Sequence, residues 1–203
     1  MSRNKPIVEV LACVAPPGLI GHPLVYSVYL CHKHRYHGFS DNPLGRVIVG
    51  GIDLERMNHR SVEEDRKEYG LSMQYPVVGW FSRFDQFKCP LSFVDIAYFV
   101  SLEVPDCQFV MFGDGVDMGK TSYQASIRNI NIAFPGAVRT KGRAFNTMDV
   151  FCFPTWQEAF GRVMPEAMAV GIPIVTNDYP VCVELCGGAS VYVDTVREDP
   201  MPR

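Results

Sequence analysis

The chain has 203 residues, 47% of them hydrophobic, which suits one globular domain with an additional piece. Its 19 basic and 22 acidic side chains leave a net charge of −3, and its longest basic cluster is Lys33-His34-Arg35, so nothing marks a nucleic-acid groove or a binding face for anionic lipid. No apolar stretch approaches the ~20 residues of a membrane span, and seven cysteines without CxxC spacing, behind an N-terminus lacking a secretory apolar core, point to reduced thiols in a cytoplasmic protein rather than a disulfide frame.

Residues 1–45 read as an N-terminal remnant or linker, and residues 46–203 as the domain that carries the chemistry. In the first part, 7–14 suits a strand, 15–23 a Pro/Gly loop, and 24–31 either strand or helix. His22, His32, His34 and His37 fall here, beside Cys31. They lack the ordered pairs on defined elements that metal sites use, so the expected state is a solvated loop, with no metal bound. A short strand at 47–49 ends in Gly50-Gly51. Ser61-Val62-Glu63-Glu64 fits a capping box opening a helix to about Tyr69, with Gly70 placed to stop it.

An alternation then begins. Strands are expected at 77–81, 108–112, 130–134, 150–153, 172–176 and 190–193, with helices at 91–103, 120–128, 142–147, 162–170 and 181–186 between them. The strands are continuous apolar runs, as expected when both sheet faces are covered. Repeated strand–helix order gives an α/β fold: a doubly wound, parallel, Rossmann-like sheet of about six strands. Ligands of such sheets bind at the carboxyl ends of the strands.

The groups expected at that rim are charged and glycine-rich. Arg83 and Lys88 follow the first strand of the alternation, Gly113-Asp114-Gly115 the second, Pro135-Gly136-Ala137-Val138 the third, and 154–161 the fourth. Pro165 is tolerated in a first helical turn, so a helix starts near Arg162 with Gly161 just before it. Its free amides and positive dipole end make an anion site, to which Arg83 and Lys88 add charge. Glu158 and Glu166 stand on either side of the glycine turn. Carboxylates are poor phosphate partners and good acceptors for sugar hydroxyls. A diphosphate flanked by two hydroxyl-bearing groups describes a nucleotide sugar.

Five segments carry a family resemblance: VIVGGIDLERM (47–57), VVGWFSRFDQFKCP (77–90), FVMFGDG (109–115), IAFPGAV (132–138) and MDVFCFPTWQEAFGRVMPEAMAVGIPIVTND (148–178). The last holds two glutamates separated by seven residues. Residues 47–193 resemble the C-terminal, donor-binding domain of retaining glycosyltransferases of the GT-B fold, group 1 (GT4-like). The resemblance implies transfer of a sugar, with retained anomeric configuration, from a UDP- or GDP-type donor to an acceptor it does not name. It implies Arg83 and Lys88 on the diphosphate, with Gly113 in the donor site. It implies Glu158 with Phe160 and Gly161 on the donor sugar, Glu166 on the ribose, and the Ala137-Val138 backbone at the base. Glu158, Arg83 and Lys88 are the catalytic candidates. No metal or other cofactor is expected, because the two side-chain cations take a divalent ion's role.

Three positions depart from the family's pattern: Ser82 and Cys89 stand where glycine is usual, and Gly50 where asparagine is usual. The acceptor-binding half is expected to be absent or supplied by a second chain. An alternative is therefore a truncated or partner-dependent nucleotide-sugar-binding module with no transferase activity of its own. Peripheral attachment to a membrane is compatible with either reading. Gly119-Lys120-Thr121 resembles the end of a P-loop, but that motif needs glycine at 114, where Asp stands. An epimerase on the same fold fits the Glu-Ala-Phe-Gly segment less well than a transferase. A glycosidase using both glutamates would want a polysaccharide cleft that nothing else suggests.

Overall fold

The computed structural model describes residues 7–11, 25–29, 46–57 and 61–193. His22, His32, His34, His37 and Cys31 lie outside the described residues. Strands β1 (Ile7–Leu11), β2 (Val25–Tyr29) and β3 (Arg46–Val47) form a parallel sheet in that order. Within the segment 24–31, the described residues 25–29 are strand, not helix. The strand expected through Val49 ends at Val47, and Ile48 and Val49 are exposed. β3 pairs with β2 through Val28↔Arg46 and Tyr29↔Val47.

The second sheet has six parallel strands, in the order β6-β5-β4-β7-β8-β9. They are β4 (Val77–Phe81), β5 (Gln108–Phe112), β6 (Ile132–Gly136), β7 (Val150–Phe153), β8 (Ile174–Asn177) and β9 (Ser190–Val193). The central strands are buried almost end to end, while the edge strand β9 alternates between half-buried and exposed. Helices Pro90–Glu103, Met118–Ile127, Lys141–Asn146, Val163–Val170 and Pro180–Cys186 connect the strands. Phe112, Phe81, Phe145, Phe151 and Phe153 fill the core with ring centroids 5.3–5.9 Å apart in successive pairs. Gly79 is required here: a Cβ on it would lie 2.3 Å from the sulfur of Met148.

The capping box forms as expected, with Glu64 N–H donating to Ser61 Oγ and Ser61 N–H to Glu64 Oε2, at the head of the Val62–Glu68 helix. Two strands start later than hydropathy suggests. Gly171 is left-handed and the amide of Ile172 donates back to Ala167, so Ile172 closes the preceding helix as a Schellman motif. Ile130 likewise donates to Ala125 after the left-handed Asn129. β6 then runs through Pro135 to Gly136, which an edge strand permits because one side of its ladder is unpaired.

Strand order reverses at β4: β5 lies on one side and β7 on the other. The loops leaving β4 and β7 therefore diverge around a crevice, the switch point at which doubly wound sheets hold ligands.

Candidate functional site

The loop after β4 is laced to its neighbours by backbone bonds. Ser82 N–H donates to Phe112, Phe84 N–H to Asp114 and Asp117 N–H to Phe84, at 2.9–3.1 Å. The glycines beyond β5 permit this approach. A Cβ on Gly113 would lie 1.7 Å from the Ser82 carbonyl oxygen, and one on Gly115 2.4 Å from that of Phe84. Asp85 then opens a 3-10 turn, Gln86–Lys88, by accepting from Phe87 N–H, and also binds the Arg83 guanidinium. Cys89, in the left-handed region at φ 50°, turns the chain into the Pro90–Glu103 helix.

The loop after β7 grips the same turn from across the crevice. Thr155 Oγ1 donates to the Phe87 carbonyl at 3.0 Å and the Trp156 indole to the Gln86 carbonyl at 3.0 Å. These bonds bring Lys88 onto Glu158. Lys88 Nζ donates to Glu158 Oε1 at 2.6 Å and to the Gln157 carbonyl at 3.0 Å. The Glu158 carboxyl is held above its ordinary range by burial, partly offset by the Lys88 ammonium. Gly161 follows at φ 74°, where a Cβ would lie 2.3 Å from Met164 Cε. The Val163–Val170 helix then begins with no side chain capping it.

A cavity of about 900 Å³ lies at this switch point. Arg83, Lys88, Glu158, Phe160 and Gly161, all expected from sequence, line it. So do Gly50–Asp53 and Arg162. A Cβ on Gly50 would press to 2.8 Å on the Phe160 ring, so the glycine that stands in place of asparagine lets the two segments close on one another.

Gly113, Val138 and Glu166 stand outside this lining. Gly113 supports the Arg83 loop from behind, and Val138 is half-buried against the core. Glu166 is 2% exposed and takes Lys141 Nζ on both carboxylate oxygens, at 2.8 and 2.9 Å. Arg162 joins it to the cavity wall, its guanidinium 3.7 Å from Oε1. Sequence alone does not mark Lys141 and Arg162 as site residues. A lone cation in the first turn of a short helix carries no signal until its partner is placed.

Among the described residues, no group of three or more His, Cys, Asp or Glu side chains is arranged to hold a metal ion. No helix among them is long and apolar enough to cross a membrane. Burial pushes the Cys89 thiol to about 11 and those of Cys152 and Cys182 to about 12, which removes all three as nucleophiles at neutral pH. The Gly119-Lys120-Thr121 segment lies within the Met118–Ile127 helix rather than in a phosphate-wrapping loop.

Comparison with known proteins places these features in a family. The sequence model of the family described as Glycosyl transferases group 1 matches residues 75–199. The chain is 30% identical over 143 residues to the processive diacylglycerol alpha-glucosyltransferase of Acholeplasma laidlawii, covering 66% of this chain and 42% of that protein. It is 28% identical over 138 residues to the D-inositol 3-phosphate glycosyltransferase of Mycobacterium marinum, covering 64% and 29%. Both matches thus span less than half the relative's length. Among solved structures, Anabaena HepE in complex with UDP and glucose superimposes with TM-score 0.77 at 19% identity, over 93% of this chain and 58% of that one. A Rickettsia africae glycosyltransferase gives 0.71 at 16% identity, over 85% and 50%. At such identities the likeness is one of fold, and the fold is that of GT-B glycosyltransferases.

Proposed function

Since this chain belongs to the Glycosyl transferases group 1 family, we propose that it forms the donor half of a retaining transferase that takes a sugar from a UDP- or GDP-linked donor. The observation that carries this reading is the meeting of Arg83, Lys88, Glu158 and an uncapped helix start around one cavity at the switch point. Cations and the positive end of a helix suit a diphosphate; a carboxylate suits sugar hydroxyls.

In the proposed reaction the sugar–phosphate bond breaks, the sugar bonds to an acceptor nucleophile that gives up a proton, and negative charge grows on the departing diphosphate. Arg83 and Lys88 oppose that charge, and Lys88 is already fixed by Glu158 and the Gln157 carbonyl, so little reorganisation is needed as charge develops. Glu158, with the backbone at Phe160 and Gly161, holds the sugar. Glu166 accepts from the ribose, and the 137–138 backbone meets the base. With two side-chain cations on the diphosphate, the reaction is proposed to need no metal.

A second reading is a nucleotide-sugar-binding module that holds the donor in this cavity without transferring sugar on its own. Both readings are tested by following release of UDP or GDP from nucleotide sugars, with and without an added acceptor-binding domain. Release by the chain, alone or with the added domain, supports the first, and donor binding without release in either case supports the second. No release, together with no donor binding, contradicts both.

A further inference from the structure

Resting on that donor-site reading, we propose that Lys141 is a positioning residue for the donor ribose: it fixes the Glu166 carboxylate in the orientation that makes the site discriminate an intact ribose from one lacking hydroxyls. The terminal torsion of a glutamate is intrinsically broad. In this chain it is set by one ammonium that contacts both oxygens at 2.8 and 2.9 Å. Each carboxylate oxygen has two acceptor positions, so two contacts from Lys141 leave capacity for two hydroxyls. At 2% exposure the carboxylate has little other freedom, and Arg162, at 3.7 Å from Oε1, connects it to the cavity.

Lys141 is itself anchored. It is the first residue of the Lys141–Asn146 helix, which is tied at three further points. Arg143 Nε donates to the fully buried Asp65 at 2.9 Å and Arg143 also binds Glu68, while Asn146 donates to the other Asp65 oxygen at 3.0 Å. Gly142 packs so closely on Met57 that a Cβ would lie 2.2 Å from its carbonyl oxygen. The Lys141 ammonium also stands 5.9 Å above the Phe81 ring. A cation held this way directs its partner rather than following it.

The experiment measures affinity of the full chain for UDP and GDP and for their 2′,3′-dideoxy counterparts, in wild type, Lys141→Met, Lys141→Arg and Glu166→Gln. Wild type is expected to prefer the intact ribose by on the order of tenfold or more, the scale of hydrogen bonds to a charged acceptor. Lys141→Met should reduce that preference to about twofold, and Lys141→Arg should retain most of it. Adding Lys141→Met to Glu166→Gln should change nothing further, since the two act as one unit. A purely structural lysine would weaken intact and dideoxy ligands alike, and an undiminished preference in Lys141→Met would overturn the proposal. If Lys141→Met does not fold, Lys141→Gln and Lys141→Arg carry the same comparison. Wild type that binds no nucleotide would instead sink the underlying donor-site reading, and the two failures are told apart by that measurement alone.

Discussion

Lys88 and Glu158, 70 positions apart in the chain, meet at 2.6 Å across the crevice between the loops leaving β4 and β7. Their side chains are 16% and 9% exposed, whereas Arg83, another cation of the site, is 72% exposed. The two cations should therefore differ in what they do for stability. Arg83→Ala removes a surface pair and should cost at most about 1 kcal/mol. Lys88→Ala strands a buried carboxylate and should cost a few kcal/mol, towards the ~3–5 kcal/mol of a broken buried pair. Both should lower turnover by on the order of 10²–10³, as loss of one donor to a developing anion does. Urea midpoints and kcat for the two variants check this; equal destabilisation would show that the pair is not buried as described.

Glu158 also sets a pH dependence. Burial raises its carboxyl above the ordinary 4.5. A group whose folded value lies above its unfolded value contributes stability that is full below the unfolded value and is lost as pH rises through the folded one. Stability relative to Glu158→Gln should thus fall as pH climbs from about 4.5 through the raised folded value. Thermal midpoints of both proteins across that window give the difference directly, and a difference that grows with pH would reverse the assigned sign.

Gly161 tolerates no side chain. At φ 74° the left-handed backbone disfavours any Cβ, and the atom it would meet, Met164 Cε at 2.3 Å, belongs to a fully buried side chain. Gly161→Ala should lose about 1–3 kcal/mol and push the Met164 side chain and the turn apart. Donor affinity and unfolding midpoint should fall together. A variant with native midpoint and native affinity contradicts this account of the turn.

Cys89 occupies a conformation that favours glycine, φ 50° and ψ 51°, where the family pattern has glycine. Cys89→Gly should leave the thermal midpoint unchanged or raise it, because the left-handed form costs a residue with Cβ ~1–2 kcal/mol. Cys89→Val should lower it, since branching at Cβ adds to that cost. The opposite order of midpoints would show that the thiol's packing outweighs the backbone term.

Much of this architecture is readable from residue types. The buried runs of β4, β5 and β7 announce themselves as parallel strands because both faces are covered and no alternation is needed. Hydropathy misplaces the strand starts near Ile130 and Ile172 because helix-closing bonds from a following apolar residue look the same as the first residue of a strand. Arg83, Lys88 and Glu158 are legible by position, each lying just beyond a strand that a doubly wound sheet must end at one rim. The Lys141–Glu166 pair is not, since it joins two helices and depends on how they pack. Nor does spacing reveal that Gly113 supports the Arg83 loop, which requires knowing that β5 neighbours β4.

The metal-independence of the proposal is checked by adding a chelator: donor turnover and affinity should be unchanged. A loss restored by a divalent ion would show that the side-chain cations do not suffice.

The most direct test of the site is a thermal-shift series with UDP, GDP and their sugars on wild type, Arg83→Ala and Glu166→Ala. At ~100 times the dissociation constant, a bound ligand adds about 2.7 kcal/mol, a readily visible rise in midpoint. One nucleotide class should stabilise wild type, less so Glu166→Ala, and least Arg83→Ala. Wild type unmoved by every nucleotide and nucleotide sugar would contradict the assignment of this cavity to a donor.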